Sequence, residues 1–183
     1  MCGVIGLLVK DPALEPALGS MLVPMIEALG DRGPDSSGVA VYADGDPFGA
    51  VPGPGGPGAS LTPVFSGDVT RVSLGSDRDL DWAELRADLE SSLGATLDVR
   101  IFETGAVIRS SDAGTLLDTV ASRWPDVRLL GLGRALSVVK DTGRPEATCR
   151  RYGIGSWQGY LAVAHTRMAT ESEVTVLHSH PFV

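Results

Sequence analysis

Met1-Cys2-Gly3-Val4-Ile5-Gly6-Leu7-Leu8-Val9 opens the chain with a cysteine directly before an apolar run. Such a run, closed by Lys10-Asp11-Pro12, reads as a buried strand that starts at the amino terminus itself. It is far too short to cross a bilayer and lacks the basic start of a secretory signal. Removal of Met1 leaves cysteine at the terminus, where one residue holds both a nucleophile and a base. An α-amino group titrates at about 7.7–8.0, so part of it is neutral at physiological pH and accepts the thiol proton, directly or through one water. The alternative for Cys2 is a small buried side chain near a strand start, as free cysteine often is. On this residue alone both readings stand.

Downstream, residues 14–29 place apolar side chains at Leu14, Leu18, Met21, Leu22, Met25, Ile26 and Leu29, the spacing of an amphipathic helix with Gly30 as its C-cap. Pro24 inside it predicts a kink or a late start. Arg32-Gly33-Pro34-Asp35-Ser36-Ser37-Gly38 is turn chemistry, and Val39-Ala40-Val41-Tyr42 a second strand. Residues 44–63 are rich in glycine and proline and read as a linker. Gly53 to Gly58 lacks the Gly-Lys-Ser/Thr ending of a phosphate loop.

The segment 64–132 has a regular plan. It predicts a strand at 69–74, a helix at 82–93 ended by Gly94, a hairpin of 97–102 and 106–108, a helix capped by Asp112, and a strand at 127–132. That order, βαββαβ, is a split-βαβ or ferredoxin-like unit. Residues 134–140 read as a strand or the start of a helix, Asp141 to Pro145 as a turn, and 159–164 as a strand leading into His165-Thr166-Arg167-Met168-Ala169-Thr170. The last residues are His178-Ser179-His180-Pro181-Phe182-Val183.

Composition narrows the function classes. With 183 residues, 43% of them hydrophobic, the chain supports a packed core. A net charge of −8 disfavours non-specific attraction to nucleic acid or anionic lipid. Two cysteines make no disulfide framework and hold no iron–sulfur cluster, so a reducing, cytoplasmic setting is expected. His165, His178 and His180 give a zinc alternative, but no carboxylate is spaced with them in a metal motif. No metal and no cofactor is therefore expected.

Four segments, in order, resemble the class II glutamine amidotransferases, which are N-terminal-nucleophile hydrolases: Met1 to Gly6, Arg32 to Ala40, His165 to Thr170, and His180-Pro181. The pattern is most similar to the stand-alone amidotransferase subunits of glutamate-synthase-like complexes, which share a Val-Lys-Asp-Thr-Gly-type stretch, here Val139 to Gly143. The resemblance covers residues 1–50 and 134–182. It implies an α+β fold, the N-terminal portion of an αββα sandwich, with a core over residues 1–50 and 133–183 interrupted by the insert at 64–132.

The resemblance also implies roles. Cys2 attacks the side-chain amide of glutamine and ammonia leaves. Arg167 pairs with the α-carboxylate of glutamine, for which a guanidinium fork is suited. Thr170 and His180 lie near the bound glutamine, while Arg32 and Asp35 order the turn beside the nucleophile. Taken singly, Arg167 also reads as a sheet-edge ion pair, Thr170 as a strand-end hydroxyl and His180 as a structural histidine. Ammonia passes to a synthase partner, which brings any flavin or iron–sulfur cofactor.

The family's oxyanion donors come from an Asn-Gly pair beyond the His-Pro motif, yet these 183 residues contain no asparagine. The expectation is an N-terminal fragment, inactive by itself, with a sheet edge and an apolar face uncovered. Two further functions remain open: a regulatory or assembly subunit on the same scaffold, and an amidohydrolase for a different amide.

Overall fold

The computed structural model describes residues 2–48, 69–169 and 173–182. Residues 49–63 of the expected linker, the start of the expected insert at 64–68, and Thr170 lie outside the described residues. The opening apolar run forms strand β1 (Gly3–Leu8). The helix expected from residue 14 starts later. Pro12–Ala17 is a 3₁₀ turn capped by the Asp11 carboxylate, which accepts from the Ala13 N–H at 3.0 Å. Pro16 cannot donate a helical hydrogen bond, and α1 (Leu18–Glu27) begins just after it. Its buried face is Leu18, Gly19, Leu22 and Ile26. Gly30 does not cap this helix but opens a second 3₁₀ turn, Gly30–Arg32, which leads into β2 (Ser36–Tyr42).

The middle segment follows its local signals closely. β3 (Thr70–Gly75) leads to α2 (Trp82–Leu93), capped by Asp81 and closed by Gly94 at φ 63°. β4 (Asp98–Ile101) and β5 (Gly105–Ser110) form a hairpin. The Asp112 carboxylate accepts from the Thr115 N–H and starts α3 (Ala113–Arg123), and β6 (Arg128–Gly133) follows. Residues expected to be a turn instead extend β7 (Leu136–Thr142) and open α4 (Pro145–Arg151). That helix buries Pro145, Thr148 and Cys149, so it lacks the run of large apolar side chains that periodicity detects. The final strand, β8 (Leu161–Arg167), takes in His165-Thr166-Arg167.

Two antiparallel sheets result. The first, in order β1-β8-β2-β7, is drawn from both ends of the chain, with Gly3 opposite Thr166. The second, β4-β5-β3-β6, comes wholly from residues 70–133. α1 packs its apolar stripe on the first sheet, in a core with Ile5, Val39, Val41, Ala162 and Trp157. α2 and α3 bury Leu85, Leu89, Leu116 and Val120 against Val72, Leu74 and Ile108 of the second.

The sheets meet at β7. Its Val138 N–H donates to Ser73 Oγ at 2.9 Å, and its Lys140 carbonyl accepts from Thr104 Oγ1 at 2.8 Å. Side chains of the second sheet thus satisfy backbone groups that an edge strand would leave open. At the opposite edge, β1 carries exposed Val4 and Leu8.

Candidate active site

One end of the first sheet gathers the residues singled out by their motifs. Cys2 is exposed and directly precedes Gly3, which pairs with Thr166, so the start of β1 and the end of β8 that carries Arg167 meet at one end of the sheet. Arg167 is in turn opposite Ser36, and Ser36 opposite Thr142. A cysteine and an arginine separated by most of the sequence are thus brought to the same end of the sheet by strand register. Arg167 Nη1 donates to the His178 carbonyl at 3.1 Å, which ties the end of β8 to the segment 173–182.

Asp35 orders this end of the sheet. Its N–H donates to the Arg167 carbonyl at 3.0 Å, its carboxylate accepts from the Ala169 N–H at 2.7 Å, and its own carbonyl accepts from the Gly143 N–H at 2.6 Å. One residue therefore binds the turns that leave β8 and β7. Arg32 is exposed and acts through its backbone, donating to the Leu29 carbonyl at 3.0 Å. Between them, Gly33 packs directly on β8. A Cβ there would lie 2.3 Å from the Thr166 carbonyl carbon and 2.5 Å from the Arg167 nitrogen. Backbone cannot yield as a flexible side chain does, so Gly33→Ala is expected to destabilise the fold by about 1–3 kcal/mol. A urea-unfolding midpoint equal to that of the unsubstituted chain would contradict this contact.

The next row across the sheet is Val4, His165, Gly38 and Lys140. The His180 carbonyl oxygen occupies the space over Gly38, 2.2 Å from where a Cβ would be, so only glycine admits this approach. The His180 ring lies 4.5 Å from that of His165 and 4.6 Å from that of Phe182, and Lys140 Nζ stands 4.4 Å above the Phe182 ring. Burial pushes Lys140 down to about 8. Burial also lowers His165, helped by the charges of His180 and Arg167. At this end of the sheet, Ser36 Oγ and His165 Nδ1 are buried without a hydrogen-bond partner.

The structure thus brings Cys2, Arg167 and Asp35 to one end of the sheet and lays His180 over the adjoining row. The sequence pattern did not single out Ser36 or Lys140 individually, although both fall within quoted motifs. Among the described residues, no group of three or more histidine, cysteine, aspartate or glutamate side chains is placed to hold a metal ion. No helix among them is long and apolar enough to cross a membrane.

Over its whole length the chain is similar to proteins named as glutamine amidotransferases. It is 34% identical across 183 residues to the glutamine amidotransferase-like protein GlxB of Rhizobium meliloti (strain 1021), covering all of this chain and 54% of that protein. It is 29% identical across 189 residues to a protein named as a glutamine amidotransferase in Methanothermobacter thermautotrophicus, covering 56% of it. Fifty residues, 27% of the chain, are 42% identical to part of the glutamine–fructose-6-phosphate aminotransferase [isomerizing] of Pyrobaculum aerophilum, 8% of that protein. The chain spans about half the length of the first two relatives. No protein-family model matches it. These similarities support a glutamine amidotransferase relationship.

Proposed function

We propose that these residues form the nucleophile and carboxylate-binding part of a class II glutamine amidotransferase with an N-terminal-nucleophile fold. The observation that carries the proposal is the Gly3–Thr166 register, which brings the chain start next to Cys2 and the β8 end bearing Arg167 to one end of the first sheet. With Met1 removed, the α-amine takes the Cys2 thiol proton as the thiolate attacks the side-chain carbonyl carbon of glutamine. A carbon–sulfur bond forms, the carbon–nitrogen bond breaks, and that proton leaves with the nitrogen as ammonia. Water then cleaves the thioester to give glutamate and the free thiol. Arg167 holds the α-carboxylate and so orients the side-chain amide toward Cys2. His180, resting over Gly38, walls the site.

Ammonia is readily protonated in bulk water, so the proposal includes an ammonia-accepting synthase subunit of a glutamate-synthase-like complex. The residues 64–132 are proposed as an insert in this core. Thr170 is proposed to line the glutamine site.

An electrophilic diazo-ketone analogue of glutamine tests the reading by intact mass. The expected result is loss of Met1 and one adduct on Cys2, blocked by glutamine, with Cys149 unmodified. Retained Met1, or labelling indifferent to glutamine, would overturn it.

A further inference from the structure

We infer that the second sheet holds part of the glutamine site in place through Asp77, a positioning residue in the loop between β3 and α2. This rests on the assignment of Arg167 to the glutamine α-carboxylate. Arg167 is held from the segment 173–182. Its guanidinium donates to the His178 carbonyl, and His178 belongs to a turn closed within itself. There the His178 N–H donates to Thr175 Oγ1 at 3.1 Å, Ser179 Oγ donates to the Thr175 carbonyl at 2.8 Å, and the Ser179 N–H donates to the Val176 carbonyl at 3.2 Å. These bonds fix the shape of the turn but not its position on the protein.

Two further contacts tie the turn to the second sheet and its neighbours. The N–H of buried Val176 donates to Asp77 Oδ1. Leu177 packs against a cluster of Ala40, Leu130, Leu136 and Val138, in which Leu130 comes from β6 of the second sheet. The loop carrying Asp77 is itself held, since the Ser76 N–H donates to the Thr104 carbonyl at 3.0 Å at the tip of the β4–β5 hairpin. A chain of contacts therefore runs from the second sheet through Asp77 and Val176 to the His178 carbonyl and Arg167. A guanidinium displaced by a fraction of its hydrogen-bond length loses bidentate pairing with a carboxylate, so its anchor matters to binding and not only to folding.

The test uses the full chain with Asp77→Ala and Asp77→Asn. Asparagine keeps the acceptor oxygen; alanine removes it. Two quantities are read: hydrogen exchange at the Val176 amide, and the glutamine concentration that halves the rate of Cys2 alkylation. Asp77→Ala is expected to speed the exchange and raise that concentration about tenfold, the size expected for one lost hydrogen bond. Asp77→Asn is expected to restore both to within about twofold. A purely structural role would lower thermal stability and leave glutamine protection unchanged, which would overturn the inference, as would an Asp77→Asn chain that behaves like Asp77→Ala. Absence of glutamine protection in the unsubstituted chain would instead remove the glutamine assignment of Arg167, and this inference with it.

Discussion

Replacing Cys2 with alanine is expected to abolish glutamine-dependent ammonia release, by about 10³-fold or more, because the proposed thioester forms on its thiol. The chain offers its own control. It has two cysteines, and the second lies in the core beneath α1. Cys149 is 4% exposed, and its thiol is pushed up to about 12, first by burial and then by the carboxylates of Glu27 and Glu146. At neutral pH it is a protonated, enclosed thiol and a poor nucleophile. Cys149→Ala is therefore expected to keep the activity that Cys2→Ala loses. The assay is ammonia release from glutamine in the presence of the proposed ammonia-accepting subunit. A Cys2→Ala protein that keeps a tenth or more of the rate would place the chemistry elsewhere. Loss in Cys149→Ala alone, with the fold intact, would reverse the assignment of the two thiols.

How much of this was legible before the structure depended on the range over which each signal acts. α2 has the bounds read from its pattern because the apolar spacing and the closing Gly94 lie within a few turns of one another. The hairpin of β4 and β5 and the capped start of α3 are local in the same way. α4 was missed because its buried face is made of proline, threonine and cysteine, and its contact to the first sheet is polar: Ser37 Oγ donates to Thr148 Oγ1 at 2.9 Å. The late start of α1 turns on a competition at Pro16 that periodicity does not weigh. In the site, Cys2 and Arg167 were readable as motif residues, but their meeting at one end of the sheet required the pairing of β1 with β8. The part played by Asp77 was hidden, since its partner Val176 is 99 residues away and neither carries a motif.

Arg151→Met is expected to be among the most destabilising substitutions outside the apolar cores, and its effect is expected to depend on pH. Asp141, near the end of β7, is 1% exposed. Its carboxylate accepts from Arg151 Nη1 and from the Thr142 N–H at 2.8 Å, while Arg151 Nε also pairs with Glu103 at 2.9 Å across the gap to the second sheet. Burial raises Asp141 above the ordinary carboxylate range, and Arg151 is the main influence pulling it back. Removing the guanidinium leaves a buried carboxylate without its cation. A fully buried pair broken this way costs about 3–5 kcal/mol, and because Arg151 is 38% exposed the expected loss is nearer 2–3 kcal/mol at neutral pH. The sign with pH follows from linkage. A carboxyl raised in the folded state favours folding while it is protonated, and that contribution is lost as pH rises from the ordinary carboxylate value through the folded one. Without Arg151 the folded value climbs further, so the loss is larger and extends to higher pH. Below the ordinary range Asp141 is protonated in both states, and the two proteins should converge. Urea-unfolding midpoints at about pH 3 and about pH 7 check this, with the double change Arg151→Met and Asp141→Asn expected to recover most of the neutral-pH loss. A difference that stays constant with pH, and that the double change does not reduce, would show that Arg151 acts through packing rather than charge. Thr142, next after Asp141, pairs with Ser36 at the same end of the sheet as Arg167. The ion pair that joins the two sheets thus also steadies the strand end that borders the site.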